Sequence, residues 1–469
     1  MKYLVNNTAM SYKFITGLVL KKQSAMAIDD EKLEGLKGDF QFKSLTEHKL
    51  VLVTENKPKS LISAAEEIAE KDAEIAKLKA ELAKANGKLE YAEASGKEVD
   101  EEIDTESTVE IDEEQPTEEE TFSQPEIELI MVGDVLLHDR LEECAKQEDG
   151  SYRYEALFAP MKDEIQAADL AIVNQEVLIG GEELGITGYP CFNAPFTLGD
   201  ALVDAGFDVV CHATNHTMDK QKRGLLSCIN FWKTSYPHIG VLGMNETQEE
   251  RDEIYIYEQE GIKVAILNYT YGTNGIKLPS DMPFAVNLLD EEKVVADIKK
   301  AEELADFTIV CPHWGTEYVL KQTKEQERWA KIFFDNGVDL VIGTHPHVIE
   351  PVEMMYDVTT GHKMLVYYSL GNFVNWSGES RDGVANRFLG GMAKVTISLD
   401  EGGNPMIADY GVIATVTHVE KKTNGVYTTR LSEYTQELSL TSEVIKQDDV
   451  FSKEYLEGVA DKVWGDLWE

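Results

Sequence analysis

Short apolar runs recur along the chain from residue 127 onward, and amphipathic stretches with helical spacing separate several of them. The runs predict buried strands at 127–132, 169–173, 207–211, 262–267, 306–311, 338–342 and 364–368. Helical periodicity is clearest at 288–305 and 325–336. Near-continuous apolar strands that alternate with helices predict an α/β domain, in which helices cover a sheet.

The pattern changes toward the end of this domain, which we place at 127–440. Late antiparallel strands are predicted at 393–399, 410–419 and 425–431. The sequence of the C-terminal tail, 441–469, predicts a short helix that either docks on the domain or frays.

A different repeat precedes the domain. Leu61, Ile68, Ile75, Leu82 and Leu89 lie seven residues apart and are surrounded by Glu and Lys. Such a repeat predicts a helix at 61–97 with one apolar seam. The seam either joins copies of the chain in a coiled coil or belongs to a single solvated spacer helix, and the pattern leaves both open.

A strongly acidic segment lies between the predicted helix and the α/β domain. The chain has a formal net charge of −42, and residues 98–128 contain fifteen Asp or Glu without one Lys or Arg. Residues 98–126 are therefore predicted to form a disordered acidic linker. Nucleic acid is not expected as a partner, because a phosphate-binding surface needs clustered Lys and Arg.

The first 60 residues are poorly defined by their pattern. An apolar run at 14–20 and the sequence Ala25-Met26-Ala27 resemble parts of an export signal, although Lys21 and Lys22 interrupt them. Extracytoplasmic and cytoplasmic locations both stay open on this evidence. The five cysteines form no Cys-x-x-Cys pair and are interpreted as small core residues.

Polar side chains follow the predicted strands at the points where the strands end. The candidate metal ligands among them are Asp134, Glu176, Asn215, His313, His345 and His347. Carboxyl ends of parallel strands meet at one edge of a sheet, so these side chains are expected to converge. Carboxylate, carboxamide and imidazole groups together suit divalent cations such as Mn, Fe, Zn or Mg, and two such ions can clamp the oxygens of a phosphoester. Pro346 between the last two histidines predicts an extended backbone at His345.

Other residues near the strand ends have candidate roles in catalysis and substrate binding. His216, with Asp219 three residues beyond it, is the candidate proton donor to a leaving group. Asn372 is a candidate substrate contact. Arg140 either contacts an anionic substrate or forms a surface ion pair, and His138 is a ligand, a substrate contact or a residue on a helix face.

Six motifs in one order carry a family resemblance. They are Gly133-Asp134-Val135-Leu136-Leu137, Asn174-Gln175-Glu176, Asn215-His216-Thr217-Met218-Asp219, His313-Trp314-Gly315-Thr316-Glu317-Tyr318, Gly343-Thr344-His345-Pro346-His347-Val348 and Tyr368-Ser369-Leu370-Gly371-Asn372-Phe373. This series resembles the CapA family of bacterial poly-γ-glutamate capsule synthesis proteins. The family in turn is similar to the calcineurin-like metallophosphoesterases. The resemblance implies a four-layer α/β/β/α sandwich, a dinuclear metal site and an exported, envelope-associated protein.

Two functions follow as hypotheses. One is an extracytoplasmic metal-dependent hydrolase, acting on phosphoesters, whose substrate or partner is anionic. The other is a non-catalytic component of capsule or envelope assembly that binds polymer or capsule-synthesis proteins, with 61–97 available for homo-oligomerisation.

Overall fold

The computed structural model describes residues 125–400 and 402–469, together with five short strands in the first 54 residues. The chain divides into two compact units, Met1–Glu119 and Glu120–Glu469. The predicted helix at 61–97 lies outside the described residues, as does the acidic linker at 98–126 except for its last two residues.

The described part of the first unit consists of strands. They are β1 (Lys2–Asn6), β2 (Tyr12–Lys13), β3 (Val19–Leu20), β4 (Ala25–Ile28) and β5 (Val51–Thr54). Strand β1 pairs antiparallel with both β4 and β5, and β2 pairs antiparallel with β3.

The second unit contains fourteen strands and ten α-helices among its described residues. The strands are β6 (Glu126–Leu136), β7 (Leu170–Gln175), β8 (Val209–Cys211), β9 (Gly240–Leu242), β10 (Tyr255–Gln259), β11 (Ile262–Thr270), β12 (Phe307–His313), β13 (Leu340–Ile342), β14 (Val352–Tyr356), β15 (Lys363–Tyr367), β16 (Asn372–Asn375), β17 (Leu389–Leu399), β18 (Pro405–Val419) and β19 (Val426–Arg430). The helices are α1 (Asp139–Ala145), α2 (Glu155–Phe158), α3 (Lys162–Ala167), α4 (Phe196–Ala205), α5 (Gln221–Ser235), α6 (Gln248–Asp252), α7 (Glu291–Leu304), α8 (Lys324–Asp335), α9 (Gln436–Ser439) and α10 (Lys453–Trp464). Short 3-10 helices occupy Ala159–Met161, Glu182–Leu184, Ala385–Phe388, Glu443–Lys446 and Gly465–Leu467.

These strands form two sheets. The first has the order β19-β18-β17-β6-β7-β8-β9, with β16 pairing in parallel with the second half of β6. Its strands β6 to β9 are parallel, whereas β17, β18 and β19 are antiparallel. The second sheet has the order β10-β11-β12-β13-β15-β14, in which the four central strands are parallel.

The two sheets pack face to face, and helices cover their outer faces. Alternate residues of the second sheet, such as Ile266 and Ile309, belong to the core shared with the first sheet. Their neighbours Leu267 and Val310 pack instead in a second core with α7 and α8. On the other side, α4 and α5 contribute to the core that buries β7 and β8. The architecture is therefore the four-layer α/β/β/α sandwich that the family resemblance implied.

The C-terminal tail docks on the sandwich. Trp464 is buried at the end of α10, and its indole Nε1 donates a hydrogen bond to the Glu350 carbonyl oxygen at 3.0 Å. The last residues then run beside β18, where the Glu469 amide donates to the Val412 carbonyl oxygen at 2.9 Å. Of the two alternatives for this tail, the structure therefore shows docking.

One further prediction concerns the cysteines. Four cysteines are buried, as predicted, but Cys191 is exposed because it lies in a surface turn, so its interpretation as a core residue is wrong.

Among the residues that the structure describes, no helix combines the length and apolar character that crossing a bilayer requires.

One buried carboxyl group on α1 makes the stability of this unit depend on pH. Glu142 accepts a hydrogen bond from the Tyr154 hydroxyl. Burial raises the pKa of Glu142 from 4.5 to about 7, and the hydrogen bond from Tyr154 offsets only part of that rise. Between these two values the folded state keeps a proton that the unfolded state has lost. The stabilising contribution is therefore complete below pH 4.5 and disappears as the pH rises through 7.

Raising the pH from 5 to 8 is expected to reduce the free energy of unfolding of the wild type by about 2 kcal/mol relative to the Glu142→Gln variant, which has no proton to lose. Chemical denaturation of both proteins at the two pH values measures this difference. Equal pH dependence of the two proteins would show that Glu142 is ionised in the folded state at pH 5.

Candidate metal centre

The polar residues at the strand ends converge where the carboxyl ends of the two sheets meet. Strands β6, β7 and β8 of the first sheet and β12 and β13 of the second sheet end there. All six predicted ligands are at most 4% exposed; they are Asp134, Glu176, Asn215, His313, His345 and His347. Groups this polar are costly to bury without partners, so their collection at one point needs an explanation other than packing.

Asp134 is positioned by the close approach of two backbone segments, which contain Gly133 and Gly371. The register of β6 shifts between Val132 and Asp134, and a side chain at Gly133 would overlap the carbonyl oxygen of Gly371. The Asp134 amide donates to that same oxygen at 2.9 Å. Only glycine permits this contact, which turns the Asp134 carboxylate into the cluster.

Asp134 links the two sheets through hydrogen bonds. Its Oδ1 accepts from Asn174 Nδ2 at 2.9 Å and from the His345 amide at 3.2 Å. Its Oδ2 lies 3.1 Å from His347 Nδ1. Asp134 therefore fixes the loop after β13 against the end of β6.

The two histidines after β13 have unusual backbone conformations. His345 has φ 99° and His347 has φ 58°, both in the left-handed region that non-glycine residues rarely adopt. The extended conformation predicted for His345 is therefore wrong. The hydrogen bonds from the His345 amide to Asp134 select the observed conformation, and Pro346 disfavours only the right-handed helical region. Strained backbone of this kind is concentrated at functional sites.

The Glu176 carboxylate lies at the centre of the cluster and has no hydrogen-bond partner. Its Oε1 is 3.6 Å from His347 Nε2, 3.7 Å from His313 Nε2 and 3.9 Å from His216 Nε2. These distances exceed hydrogen-bond length, and both carboxylate oxygens of Glu176 are unpaired, as is Nδ1 of His345. Donor atoms of Glu176, His345 and His347 all lie within 4.8 Å of one another. A divalent cation fits this donor set, because it would pair the orphaned carboxylate and imidazole groups.

The pKa values of the cluster residues also show that the protein does not compensate the charges it would bury there. Burial raises the pKa of Glu176 well above its usual range, although the neighbouring His347 charge opposes the rise. Burial lowers the pKa of His313 and of His345 well below the usual range, and repulsion from other histidines adds to the effect. Burial would also lower the pKa of His347, but Glu176 and Asp134 outweigh it and raise that pKa to about 9.

His216 and Asp219 form a pair beside this cluster. His216 Nδ1 is 2.7 Å from Asp219 Oδ2, which also accepts the Phe192 amide hydrogen bond at 2.6 Å. The Phe192 ring packs edge-on against the His216 ring, with the ring centroids 4.6 Å apart. These contacts fix the His216 ring so that its free Nε2 lies toward Glu176.

The other predicted site residues are placed differently. Asn215 Oδ1 is 3.0 Å from His313 Nε2, and Asn372 Oδ1 is 3.1 Å from His347 Nδ1, so both amides contact cluster histidines directly. His138 is half-buried and packs edge-on against Phe192, and burial lowers its pKa to about 3. Arg140 is exposed, and its guanidinium lies 5.6 Å from the centre of the Trp376 ring, so its contact with an anionic substrate stays a prediction.

Several residues of the site escaped the sequence interpretation. Asn174 contacts Asp134 and Thr344 contacts His313, and both stand inside the motifs already quoted, next to chosen residues. The rings of Tyr271 and Tyr318 pack against His345 and His347 respectively. Tyr318 ends the motif that begins at His313, whereas no periodic or spacing signal marks Tyr271.

A separate cavity of about 660 Å³ opens at the edge of the sandwich between α5, β9 and β11. None of the predicted ligands lines it. Its size suits a small molecule, but the converging histidines and carboxylates lie elsewhere, and the candidate site is assigned from them.

The fold and the cluster together define an α/β/β/α-sandwich protein with a candidate metal centre at the carboxyl ends of its strands. The chain belongs to the bacterial capsule synthesis protein family: the family model, PGA_cap, matches residues 128–377, just over half of the chain. This confirms the family resemblance of the six motifs.

Two curated relatives share part of this domain. The PGA biosynthesis protein CapA of Bacillus subtilis (strain 168) is 30% identical over 182 residues, which are 38% of this chain and 46% of that protein. The capsule biosynthesis protein CapA of Bacillus anthracis is 30% identical over 186 residues, or 39% of this chain and 43% of that protein. The chain thus aligns with less than half the length of either relative.

A solved structure, the NAD nucleotidase (NadN) of Haemophilus influenzae, is 12% identical and covers 72% of this chain and 67% of its own, with a TM-score of 0.38. A likeness at this level adds nothing to the fold assignment, which rests on the two sheets and their helical layers.

Proposed function

We propose that this chain is a metal-dependent hydrolase of phosphoesters that acts in the synthesis of a capsule or another cell-envelope polymer. The observation that supports it best is the convergence of three histidine nitrogens on the unpaired, buried carboxylate of Glu176. Family membership supports the capsule context, since the family and both curated relatives carry capsule or PGA biosynthesis in their names.

Two divalent cations, drawn from Mn, Fe, Zn and Mg, are proposed as cofactors. The residues that would hold them are Asp134, Glu176, Asn215, His313, His345 and His347. When bound, such cations would stabilise the negative charge that develops on the oxygens of a phosphoester. Asn372 and Asn174 would hold His347 and Asp134 in place through the hydrogen bonds already described.

His216 is the proposed proton donor to the leaving oxygen. Its Nδ1 contact with Asp219 keeps the ring fixed and leaves Nε2 free at the edge of the cluster. General acids held in this way contribute when the leaving group is a strong base.

Metal removal tests the proposed activity. Full-length protein is expected to hydrolyse a phosphomonoester or a phosphodiester, to lose that turnover on treatment with a chelator, and to regain it with one of the four metals. Turnover that survives complete removal of metal would contradict the proposal, as would metal-loaded protein that hydrolyses neither ester, even if it cleaves a γ-glutamyl polymer.

A second candidate function is a non-catalytic component of capsule assembly. It is favoured by the names of the two relatives, which refer to biosynthesis and not to hydrolysis. Deletion of 61–97 separates the two functions. An enzyme would keep its turnover in solution, whereas an assembly component would lose its effect on the capsule although the cluster is unchanged.

The proposed setting is the outside of the cytoplasmic membrane, where an envelope polymer is assembled. Partners are proposed to be an anionic polymer or phosphoester, other envelope or capsule-synthesis proteins, and further copies of the chain through 61–97.

A further inference from the structure

A buried arginine beside the cluster has an incomplete set of partners. The side chain of Arg387, in the 3-10 helix Ala385–Phe388, is only 4% exposed. Its Nη1 lies 2.8 Å from Glu379 Oε2, but its Nε has no hydrogen-bond partner. A guanidinium presents a fixed fork of donors, and leaving one of them buried and unpaired is unfavourable.

Arg387 is connected to the cluster through two residues, Tyr318 and Asn372. Its guanidinium carbon lies 3.6 Å from the centre of the Tyr318 ring, and that ring lies 5.9 Å from the His347 ring. The Arg387 carbonyl oxygen accepts a hydrogen bond from Asn372 Nδ2, whose other amide atom contacts His347. The positive charge is therefore held close to the histidines by both the backbone and the side chain.

Glu379, the ion-pair partner of Arg387, is held only weakly. The Glu379 side chain is 52% exposed, and its Oε2 also contacts Arg381 Nη2 at 3.2 Å. One carboxylate oxygen is thus shared by two arginines, and the arginine fork is only partly filled. An exposed, shared carboxylate of this kind can be displaced by another oxyanion.

We propose that Arg387 binds an acidic group of the substrate, phosphoryl or carboxylate, beside the metal centre, and that Glu379 occupies the guanidinium until that group displaces it. The inference rests on the proposed function and names the chemistry that the substrate must carry. A buried arginine suits this role because charge-assisted hydrogen bonds are strong where water is excluded. It also provides local attraction for an anion on a chain whose net charge is −42.

Equilibrium binding to the metal-loaded, full-length protein tests the assignment, with inorganic phosphate as one probe and glutarate as the other. Arg387→Gln is expected to weaken binding of at least one probe by about tenfold or more, the loss typical of a hydrogen bond to a charged group. Glu379→Gln is expected to tighten binding of the same probe, because the competing charge is removed while the guanidinium remains. Which probe responds distinguishes a phosphoryl group from a carboxylate.

Arg328→Gln is the matched control, since Arg328 is exposed on α8 and its guanidinium pairs with Glu291 and Glu325; its affinity for both probes is expected to stay at the wild-type value. Unchanged affinity in Arg387→Gln, or no tightening in Glu379→Gln, overturns the proposal. If Arg387→Gln fails to fold, Glu379→Gln alone decides. Metal content and hydrolysis measured in the same wild-type sample test the proposed function separately, because an absent metal would reject that function whatever the anion affinities.

Discussion

Replacement of His347 with alanine is expected to abolish stoichiometric metal binding and to lower kcat/KM for phosphoester hydrolysis by at least about 100-fold. His347 contacts three groups of the cluster: its Nδ1 lies 3.1 Å from both Asp134 and Asn372, and its Nε2 lies 3.6 Å from Glu176. The substitution removes an imidazole donor and leaves the buried carboxylates of Asp134 and Glu176 without the histidine whose pKa they raise. Both effects weaken the site.

His238→Ala is the control for this variant, because His238 is exposed and lies outside the cluster. It should retain the metal content and turnover of the wild type. A His347→Ala protein that is folded and keeps both properties would exclude His347 as a ligand.

Replacement of His216 with asparagine is expected to have an effect that depends on the leaving group. For an alkyl phosphomonoester, whose leaving oxygen needs a proton, kcat should fall by about 10²- to 10⁴-fold. For 4-nitrophenyl phosphate, whose leaving group is stable as an anion, the loss should be much smaller. Metal content should not change, because asparagine is smaller than histidine and leaves Asp134 and the other histidines in place.

Asp219→Asn should reproduce this selectivity to a smaller degree, since it removes the carboxylate that holds the His216 ring in position but keeps the ring. An equal loss for both substrates in His216→Asn would show that His216 positions the substrate or binds metal, and does not donate a proton.

Much of the fold was predictable because its central strands are buried on both faces. Strands β6, β7, β11, β12 and β15 have nearly continuous apolar sequences and were predicted within a few residues of their bounds. The strands that escaped prediction lie at sheet edges or are very short, as in β10, β14 and β16. Edge strands are partly solvated, so their sequences carry a weaker pattern.

Helix α5 was missed for a different reason. Its sequence begins with Gln221, Lys222 and Arg223 and has Gly224 in the first turn, which lowers its intrinsic helix propensity. Packing decides the outcome, because Leu225 and Ile229 are buried in the core of the first sheet.

The candidate ligands could be chosen from the sequence because each follows a strand, and strand ends of an α/β sandwich converge. What the sequence could not provide are contacts that depend on the packing of distant segments. Arg387 and Tyr318 stack although they are far apart in the chain, and His345 adopts a positive φ because the distant Asp134 carboxylate accepts its amide hydrogen.

The most direct test of the metal centre is the metal content of purified full-length protein, measured by elemental analysis alongside His347→Ala. The structure predicts stoichiometric Mn, Fe, Zn or Mg in the wild type, close to two ions per chain if both proposed positions fill, and a clear loss in the variant. Wild-type protein that remains free of all four metals after incubation with each of them would contradict the account.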